Sequence, residues 1–312
     1  MKGEVTSLKI TEYSAYTRMR SRPCVVALGL FDGVHLAHRA LIGKAVAEAR
    51  ALGTDALVFT FRSESAELKR GVGRLYPTED KLSLIASLGV DETVVADFSE
   101  LSHMSPEEFV SSCLVGSLDA CVAVCGFNFR FGYRSAADAH ELSRLLAEHG
   151  RRTIISEEYS FEGKTLSASL IRSLIGERRL KEASRALGEP YFISAVVEGG
   201  ISLGGKLGTP TANTPIDEKR IALPRGVYRT RAEIRGEKYN AVTNIGVCPT
   251  VGARALHAET HILGFSGVLY GERVKISFLE FLRDEMEFAS EEELKMQINI
   301  DKMKALNAKD DN

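Results

Sequence analysis

The sequence lacks paired cysteines, a marked excess of charge and any long hydrophobic run. Its five cysteines are odd in number and scattered, with no C-x-x-C pair, so we expect free thiols in a reducing compartment. The formal net charge is only −2, which favours a small-molecule substrate and predicts no nucleic-acid or membrane partner. Because no stretch can span a bilayer and no apolar leader opens the chain, we expect a cytoplasmic protein.

The first half of the chain alternates apolar strands with helical patterns. Strands are predicted over 24–30, 56–61, 92–98, 120–126 and 152–158, and helices over 38–53, 79–89, 105–114 and 136–150. Such alternation with short links predicts a parallel sheet covered by helices on both faces, as in a Rossmann-like α/β domain. Gly53 is expected to end the first helix, and Ser105 and Glu108 form a capping-box sequence.

The second half of the chain has a different order of predicted strands and helices. After two short helices over 169–188, strands are predicted over 191–199, 226–234, 238–246, 258–265 and 273–282, and a last helix over 290–308. This order is typical of a small antiparallel β-barrel or sandwich closed by a C-terminal helix. We therefore predict two domains, at residues 1–187 and 188–312.

The stretch "GLFDGVHLAHRAL" is the first along the chain that contains candidate catalytic residues. A strand ends at Gly29, Asp32 and Gly33 form a turn, and His35 and His38 follow as a helix opens. Both imidazoles then lie on one face of the first helical turn, where free N–H groups and the helix dipole suit a phosphate. The pair could stabilise charge that develops during nucleotidyl transfer. One capping and one packing histidine is the alternative that the motif alone leaves open.

Two later segments, "GFNFRFG" and "LSASLIR", complete a pattern. With the histidine stretch they resemble the adenylyltransferase module of the prokaryotic bifunctional riboflavin kinase/FAD synthetases. The matching residues are Phe31, Asp32, Gly33, His35, His38, Gly126, Asn128, Phe129, Phe131, Gly132, Ser167, Ser169, Ile171 and Arg172. The resemblance implies an α/β nucleotidyltransferase that joins FMN to the AMP of ATP. It assigns the transfer to His35, His38, Asn128 and Arg172, and nucleotide binding to Gly29, Phe31, Asp32 and Gly33.

A glycine-rich stretch, "GGISLGGKLGTPTAN", opens the barrel region. It nearly spells a P-loop, but Leu207 stands where Ser or Thr is required, and Pro210 disfavours the helix that a P-loop needs. Clustered glycines still let backbone N–H groups approach phosphate oxygens. We expect a loop between barrel strands that carries Thr211 and Asn213, whose oxygens are hard ligands suited to a nucleotide-bound Mg²⁺.

P-T-A-N is also the signature tetrapeptide of riboflavin kinases, and "LPRGVY", "NIGVCPT", "AETHILGF" and "FLRDEMEF" follow in that family's order. The resemblance implies that Glu259 is the base that takes the proton of the riboflavin 5′-hydroxyl. It assigns nucleotide binding to Gly204, Lys206, Gly208 and Thr211, metal binding to Thr211 and Asn213, and flavin binding to Tyr228 and Arg283. A solvated strand position is the alternative for Glu259, and neighbouring His261 is expected to be structural.

The combined prediction is a bifunctional enzyme that phosphorylates riboflavin with ATP and Mg²⁺ and adenylylates FMN to FAD. Several departures from the family motifs leave open a monofunctional riboflavin kinase with an inactive N-terminal module. These departures are Ala37 in place of glycine, "TFRSES" in place of T-F-x-P-H-P, and Ala168 and Leu170. A non-catalytic sensor is a further alternative, against which Glu259 argues because binding alone needs no base. The oligomeric state is left open.

Overall fold

The computed structural model describes residues 9–15, 20–65, 72–198, 211–247 and 256–307. By its internal contacts the chain divides into two compact units, Met1–Ala168 and Ser169–Asn312. The division falls at the start of the two short helices, whereas the boundary predicted from the sequence falls after them.

The first unit is built on a parallel sheet. Its strands within the described ranges are β1 (Lys9–Glu12), β2 (Cys24–Leu28), β3 (Asp55–Phe61), β4 (Glu92–Ala96), β5 (Ala120–Gly126), β6 (Arg130–Phe131), β7 (Ala137–Asp138), β8 (Arg152–Ser156), β9 (Ser160–Phe161) and β10 (Lys164–Thr165). The sheet has the order β1-β4-β3-β2-β5-β8 and every neighbouring pair is parallel. β6 pairs with β7, and β9 with β10, in short antiparallel ribbons. The predicted parallel sheet is confirmed.

The four helices that the sequence predicts are present, with ends that differ from the prediction by up to three residues, and Phe98–Leu101 is an additional short helix. The helices are α1 (Leu36–Leu52), α2 (Thr78–Ala86), α3 (Phe98–Leu101), α4 (Pro106–Glu108), which continues as a π-helix over Phe109–Ser117, and α5 (Ala139–Glu148). Gly53 ends α1 in the left-handed region with φ 63°, a conformation that glycine adopts without a steric penalty. The Ser105 hydroxyl accepts a hydrogen bond from the Glu108 amide, and the Glu108 carboxylate accepts one from the Ser105 amide. The expected capping box is therefore present.

The second unit is an antiparallel barrel with helices beside it. Its helices are α6 (Ala168–Gly176), α7 (Leu180–Leu187) and α8 (Glu291–Asn307), and its strands are β11 (Phe192–Val196), β12 (Thr211–Pro215), β13 (Gly226–Ile234), β14 (Glu237–Val247), β15 (Leu256–Ile262) and β16 (Arg273–Arg283). The strand order is β11-β16-β13-β14-β15-β12. The two end strands meet where the Glu198 amide donates to the Asn213 carbonyl at 2.9 Å, which nearly closes the barrel. The predicted barrel and its C-terminal helix are confirmed.

One element of the barrel corrects the sequence analysis. Thr211 was expected in a loop, but it is the first residue of β12, which pairs with β15 along its whole length. Proline and asparagine indicate a turn in the sequence, yet Pro215 lies at the strand's last position, where its missing N–H costs little. Alternation along β12 buries Ala212 and Thr214 in the barrel, so Thr211 and Asn213 lie on the opposite face.

The barrel interior contains a row of hydroxyl groups. The Thr230 and Thr243 hydroxyls lie 2.8 Å apart, and those of Thr243 and Thr260 lie 2.9 Å apart. All three residues are fully buried. Each hydroxyl can both donate and accept, so the three groups form hydrogen bonds with one another and none is left without a partner. Since Thr260 points inward, its neighbour Glu259 on β15 lies on the outer face with Asn213.

In the part of the chain that the structure describes, no helix has both the length and the apolar composition needed to cross a membrane.

Candidate active sites

The first candidate site lies at the carboxyl edge of the parallel sheet. β2 and β5 are neighbours, but the chain runs from β2 to β3 and β4 on one side and then crosses to β5 on the other. Ligands of open α/β sheets bind at such a switch point, outside the carboxyl ends of the strands. The loop after β2 carries His35, and Asn128 follows β5, so both predicted residues belong to this edge.

The loop between β2 and α1 has an unusual backbone. Phe31, Gly33 and Val34 have φ values of 51°, 87° and 42°, and positive φ at a β-branched residue is a true outlier. Gly29 is required because a Cβ there would lie 2.9 Å from Cζ of the buried Phe31 ring. Strain of this kind is found at functional sites, where the surrounding structure holds it in place. The loop therefore delivers His35 in a fixed position.

The two predicted histidines are stacked against each other. The ring centroids of His35 and His38 lie 3.6 Å apart at an angle of 18°, and the Phe31 ring meets His38 edge-on at 5.3 Å. His35 occupies the N-cap position of α1 but makes no capping hydrogen bond with its side chain. The buried Nδ1 atoms of both histidines have no hydrogen-bond partner within the described residues. The capping alternative therefore does not hold for His35.

Burial sets the charge of this histidine pair. It lowers the pKa of His35 to about 4. It also lowers the pKa of His38 well below the ordinary value, with smaller contributions from the nearby charges of His35 and Lys81. Both rings are consequently neutral at pH 7, so each offers one N–H donor to a phosphate rather than a full positive charge.

A buried lysine that the sequence analysis missed lies beside the pair. Lys81 is 2% exposed, and its ammonium donates to the Leu30 carbonyl at 3.3 Å, the Thr60 hydroxyl at 3.3 Å and the Phe61 carbonyl at 2.5 Å. Burial lowers its pKa to about 8, against the raising effect of nearby carboxylates. A signal was available, since Lys81 stands three and four residues before buried apolar positions of α2 and so lies on its inner face.

The segment in place of the family's P-H-P is tied into a polar network. The Glu64 carboxylate accepts hydrogen bonds from the amide and hydroxyl of Thr78 and lies 3.6 Å from buried Arg74. Although burial acts to raise the pKa of Glu64, the Thr78 hydrogen bonds and the Arg74 charge hold it below its ordinary value. Asp32 accepts from the Leu75 amide at 3.0 Å, which fixes the histidine loop to the following segment. Residues 66–71 lie outside the described residues.

Two further residues predicted for adenylyl transfer lie on separate elements. Asn128 follows β5, and a Cβ added to Gly126 would lie 3.3 Å from its Oδ1 atom, so glycine leaves room for this side chain. Arg172 lies in α6. The roles of both residues stay predictions.

The second candidate site is a row of opposing residues across the outer face of the barrel. Asn213 on β12 pairs with Glu259 on β15, and Glu259 pairs with Asn244 on β14. Asn244 in turn pairs with Val227 on β13, and Val227 with Arg283 on β16. Directly opposed residues share one face, with Cβ atoms about 5 Å apart. The register therefore brings together three of the predicted residues and adds Asn244.

The surroundings of Glu259 suit a proton acceptor. Burial raises the pKa of the Glu259 carboxyl, which brings it closer to the working range of a general base. The Thr211 hydroxyl and the Asn244 carbonyl oxygen are buried without a hydrogen-bond partner within the described residues. Buried polar atoms without a hydrogen-bond partner are rare in native proteins. Their presence beside a carboxylate indicates a ligand site. Burial lowers the pKa of His261, opposite Thr211, to about 4, with a smaller effect of Lys302.

The oxygen atoms of this row fit a hard divalent cation. No cluster of three or more His, Cys, Asp or Glu among the described residues could hold a metal. Mg²⁺, however, keeps several waters and substrate phosphates and needs only one or two protein ligands. The unpartnered Thr211 hydroxyl and the amide oxygen of Asn213 on the same face meet that requirement.

The two predicted flavin contacts have different surroundings. Tyr228 is fully buried, and its hydroxyl donates to the Pro224 carbonyl. Its side chain offers no surface to a flavin in this structure and belongs to the barrel core. Arg283 ends the row described above and is held by Asp301 of α8, with Nη2 to Oδ2 at 2.8 Å and Nε to Oδ2 at 3.0 Å. The predicted nucleotide contacts Gly204, Lys206 and Gly208 lie outside the described residues.

Asp301→Ala is expected to lower the free energy of unfolding of the second unit by about 3 kcal/mol, because it leaves Arg283 charged and unpaired at a partly buried site. Asp301 is only 2% exposed and also accepts a hydrogen bond from Gln297. Urea unfolding followed by circular dichroism measures the change. Asp284→Ala is the control, since it breaks an exposed pair with Arg178 that is worth about 1 kcal/mol or less. Equal losses in the two variants would contradict the assignment.

Comparisons with known proteins identify the family of each half of the chain. The FAD synthetase family model matches residues 17–170, and the riboflavin kinase model matches residues 187–309. The chain is 33% identical over 290 residues to the bifunctional riboflavin kinase/FMN adenylyltransferase of Bacillus subtilis, covering 90% of this chain and 91% of that protein. The protein of the same name from Escherichia coli K12 is 32% identical, with 90% and 91% covered.

A solved structure resembles nearly the whole chain. A crystal structure described as a macrolide-efflux protein from Streptococcus pneumoniae superposes with a TM-score of 0.85 at 26% identity, covering 97% of this chain and 100% of that one. Two family models therefore match in succession, and named relatives align over nine-tenths of the chain. The chain belongs to the bifunctional riboflavin kinase/FMN adenylyltransferase family.

Proposed function

We propose that the barrel unit phosphorylates riboflavin with ATP and that the α/β unit adenylylates the resulting FMN to FAD. The observation that carries the first activity is the half-buried Glu259 carboxylate opposite Asn213, with the unpartnered Thr211 hydroxyl on the same face. A base of raised pKa beside hard oxygen ligands is the arrangement that phosphoryl transfer to a hydroxyl requires. Glu259 accepts the proton of the riboflavin 5′-hydroxyl as the oxygen attacks the γ-phosphorus of ATP.

The proposed kinase site holds the metal through Thr211 and Asn213. Bound Mg²⁺ neutralises charge on the ATP phosphates, and the chain's own part is to place the two oxygens next to the base. The glycine-rich segment 199–208 supplies backbone N–H groups to the phosphates in this proposal. Arg283, fixed by Asp301, is proposed as a flavin-side or phosphate contact at the end of the same row.

The proposed adenylyl transfer uses the neutral histidine pair. The FMN phosphate is itself the nucleophile, so the protein needs to supply positioning and charge stabilisation rather than a base. His35 and His38 donate N–H groups to the α-phosphate of ATP beside the amino end of α1. Asn128 and Arg172 are proposed as further contacts.

A monofunctional riboflavin kinase is the alternative that the departures from the family motifs leave open. Stacked neutral histidines at the switch point support an active first unit. Incubation of the purified protein with FMN, ATP and Mg²⁺, with chromatographic detection of FAD, tests this point. FAD formation that disappears in His38→Ala supports two activities, and its absence in the wild type supports the alternative.

Asn213→Ala is expected to reduce the rate of riboflavin phosphorylation on the order of 100-fold, because it removes a ligand on the metal–nucleotide side. Riboflavin binding should weaken much less, since the flavin does not depend on that contact. Steady-state rates of FMN formation and quenching of riboflavin fluorescence measure the two effects. An equal loss of binding and rate would count against the assignment of Asn213.

Location in the cytoplasm, and the absence of nucleic-acid and membrane partners, stay predictions from composition.

A further inference from the structure

A single ammonium group connects two segments of the first site. Three donors of the Lys81 ammonium go to the carbonyl of Leu30, in the loop that carries His35, and to Thr60 and Phe61 at the end of β3. An ammonium has three N–H groups and no acceptor, so these contacts use its full donor capacity. With 2% of its surface exposed, Lys81 is shielded from water and has no free N–H group for a substrate.

The hydrogen bond from Lys81 to the Leu30 carbonyl affects the position of the His38 ring. Leu30 directly precedes Phe31, whose φ is 51° and whose ring meets His38 edge-on at 5.3 Å. Movement of the Leu30 carbonyl therefore shifts the ring on which His38 rests. Since loops with several positive φ values persist only when neighbouring groups hold them, the Lys81 hydrogen bonds are part of what holds this one.

The charge of Lys81 acts on the same histidine. The groups that face Lys81 are the carboxylates of Asp32, in the loop after β2, and Glu64, after β3, and the ring of His38 on α1. His38 in turn is faced by His35 and Lys81. A buried positive charge disfavours a second one close by, so Lys81 opposes protonation of His38.

We propose that Lys81 is a positioning residue for adenylyl transfer, which fixes the histidine loop to the end of β3 and places a positive charge beside His38. The inference rests on the FMN adenylyltransferase activity proposed above. A neutral His38 still donates one N–H group to the nucleotide in a fixed direction. The positive charge that attracts the anionic nucleotide then comes from the amino end of α1 and from other cations. A displacement of about 1 Å in a side chain that positions the reacting phosphate lowers the rate of transfer on the order of 100-fold.

Three variants of the full chain test the proposal. Lys81→Met keeps an unbranched apolar side chain that is one atom shorter but removes the charge and all three hydrogen bonds. Lys81→Arg keeps the charge, and Lys164→Met makes the same chemical change at an exposed position of the same unit. Riboflavin phosphorylation by the second unit is measured in every variant as a check on that unit, and circular dichroism during urea unfolding checks that the first unit is folded.

The expected result separates the variants. FAD formation from FMN and ATP falls on the order of 10- to 100-fold in Lys81→Met, recovers in part in Lys81→Arg and is unchanged in Lys164→Met. FMN formation from riboflavin stays at the wild-type rate in all three. These rates alone do not separate the charge of Lys81 from its hydrogen bonds, so a second readout is required.

The second readout is the titration of His38 followed by NMR of the protein labelled at its seven histidines, with assignment from the resonance missing in His38→Gln. In the wild type and in Lys81→Arg, His38 stays neutral down to a pH well below its ordinary pKa of 6.5. In Lys81→Met its titration moves to higher pH while in Lys81→Arg it does not, and a merely structural role would not produce this dependence on the charge of the side chain. An unmoved titration in Lys81→Met contradicts the proposal, whatever the activity.

Failure of the inference and failure of the proposed function are distinguishable. A wild type that makes FAD, together with a Lys81→Met variant that makes it equally fast, overturns the inference alone. A wild type that makes FMN but no FAD overturns the proposed adenylyltransferase activity and the inference with it.

Discussion

Glu259→Gln is expected to lower the rate of riboflavin phosphorylation on the order of 100- to 10,000-fold. Glutamine has the shape of glutamate and preserves the backbone pairing of β15 with β12 and β14, but its amide cannot take up the proton of the riboflavin hydroxyl. The attacking oxygen must then lose its proton to water, although the position of Glu259 is partly shielded from water. The measurement is the steady-state rate of FMN formation with saturating riboflavin, ATP and Mg²⁺.

Two controls accompany this variant. Glu237→Gln makes the same chemical change at an exposed position on β14 and should leave the rate unchanged. FAD formation from supplied FMN should also be unchanged in Glu259→Gln, because that reaction is assigned to the other unit. A Glu259→Gln protein that phosphorylates riboflavin within a few-fold of the wild-type rate would exclude Glu259 as the base.

The pH dependence of phosphorylation follows from the environment of the same carboxyl. The base must be ionised, and burial raises the pKa of Glu259 above the ordinary glutamate value of 4.5. As the pH falls, kcat/KM should therefore decline at a higher pH than an exposed glutamate would give. This acid limb should persist in Glu237→Gln and be absent from the residual activity of Glu259→Gln.

His38→Ala is expected to lower the rate of FAD formation from FMN and ATP on the order of 100- to 1,000-fold. The variant removes one of two stacked N–H donors and also the ring against which His35 lies at 3.6 Å, so the remaining donor loses its orientation. The rate of riboflavin phosphorylation should stay at the wild-type level, because that reaction is assigned to the other unit. Chromatographic separation of FMN and FAD measures both rates in one reaction.

His103→Ala serves as the matched control, because His103 is an exposed histidine of the same unit. It should leave FAD formation unchanged. Because burial lowers the pKa of His35 to about 4 and that of His38 well below its ordinary value, we expect no loss of FAD formation from protonation of either ring between pH 6 and pH 8. A His38→Ala protein that forms FAD at the wild-type rate would remove the histidine pair from the mechanism.

Local signals predicted most of the elements around the first site. Gly53 and the Ser105–Glu108 capping box marked helix ends that the structure reproduces. The strand–helix alternation was enough to predict a parallel sheet, and a parallel sheet implies a binding edge at its carboxyl ends. β1 was missed because four residues at a sheet edge, Lys9–Glu12, carry little hydrophobic pattern.

Properties that depend on pairing between distant segments could not be predicted. The row from Asn213 through Glu259 and Asn244 to Arg283 depends on strand register, and a slip of one residue would turn each side chain to the other face. Glu259 was assigned by family resemblance, whereas Asn244 was matched as part of "NIGVCPT" but received no role, because its place beside Glu259 depends on register. Lys81 escaped notice because a charged residue early in a helix is usually solvated, although its spacing from Leu84 and Ile85 placed it on the inner face of α2.

The most direct test of two separate active sites is a mixing experiment in which riboflavin, ATP and Mg²⁺ are the only substrates and FAD is the product measured. Glu259→Gln alone should form little FAD because it makes little FMN, and His38→Ala alone should accumulate FMN. An equal mixture of the two proteins should restore FAD formation, since one supplies FMN and the other adenylylates it. A mixture that accumulates FMN without FAD, under conditions in which the wild type makes FAD, would contradict the account.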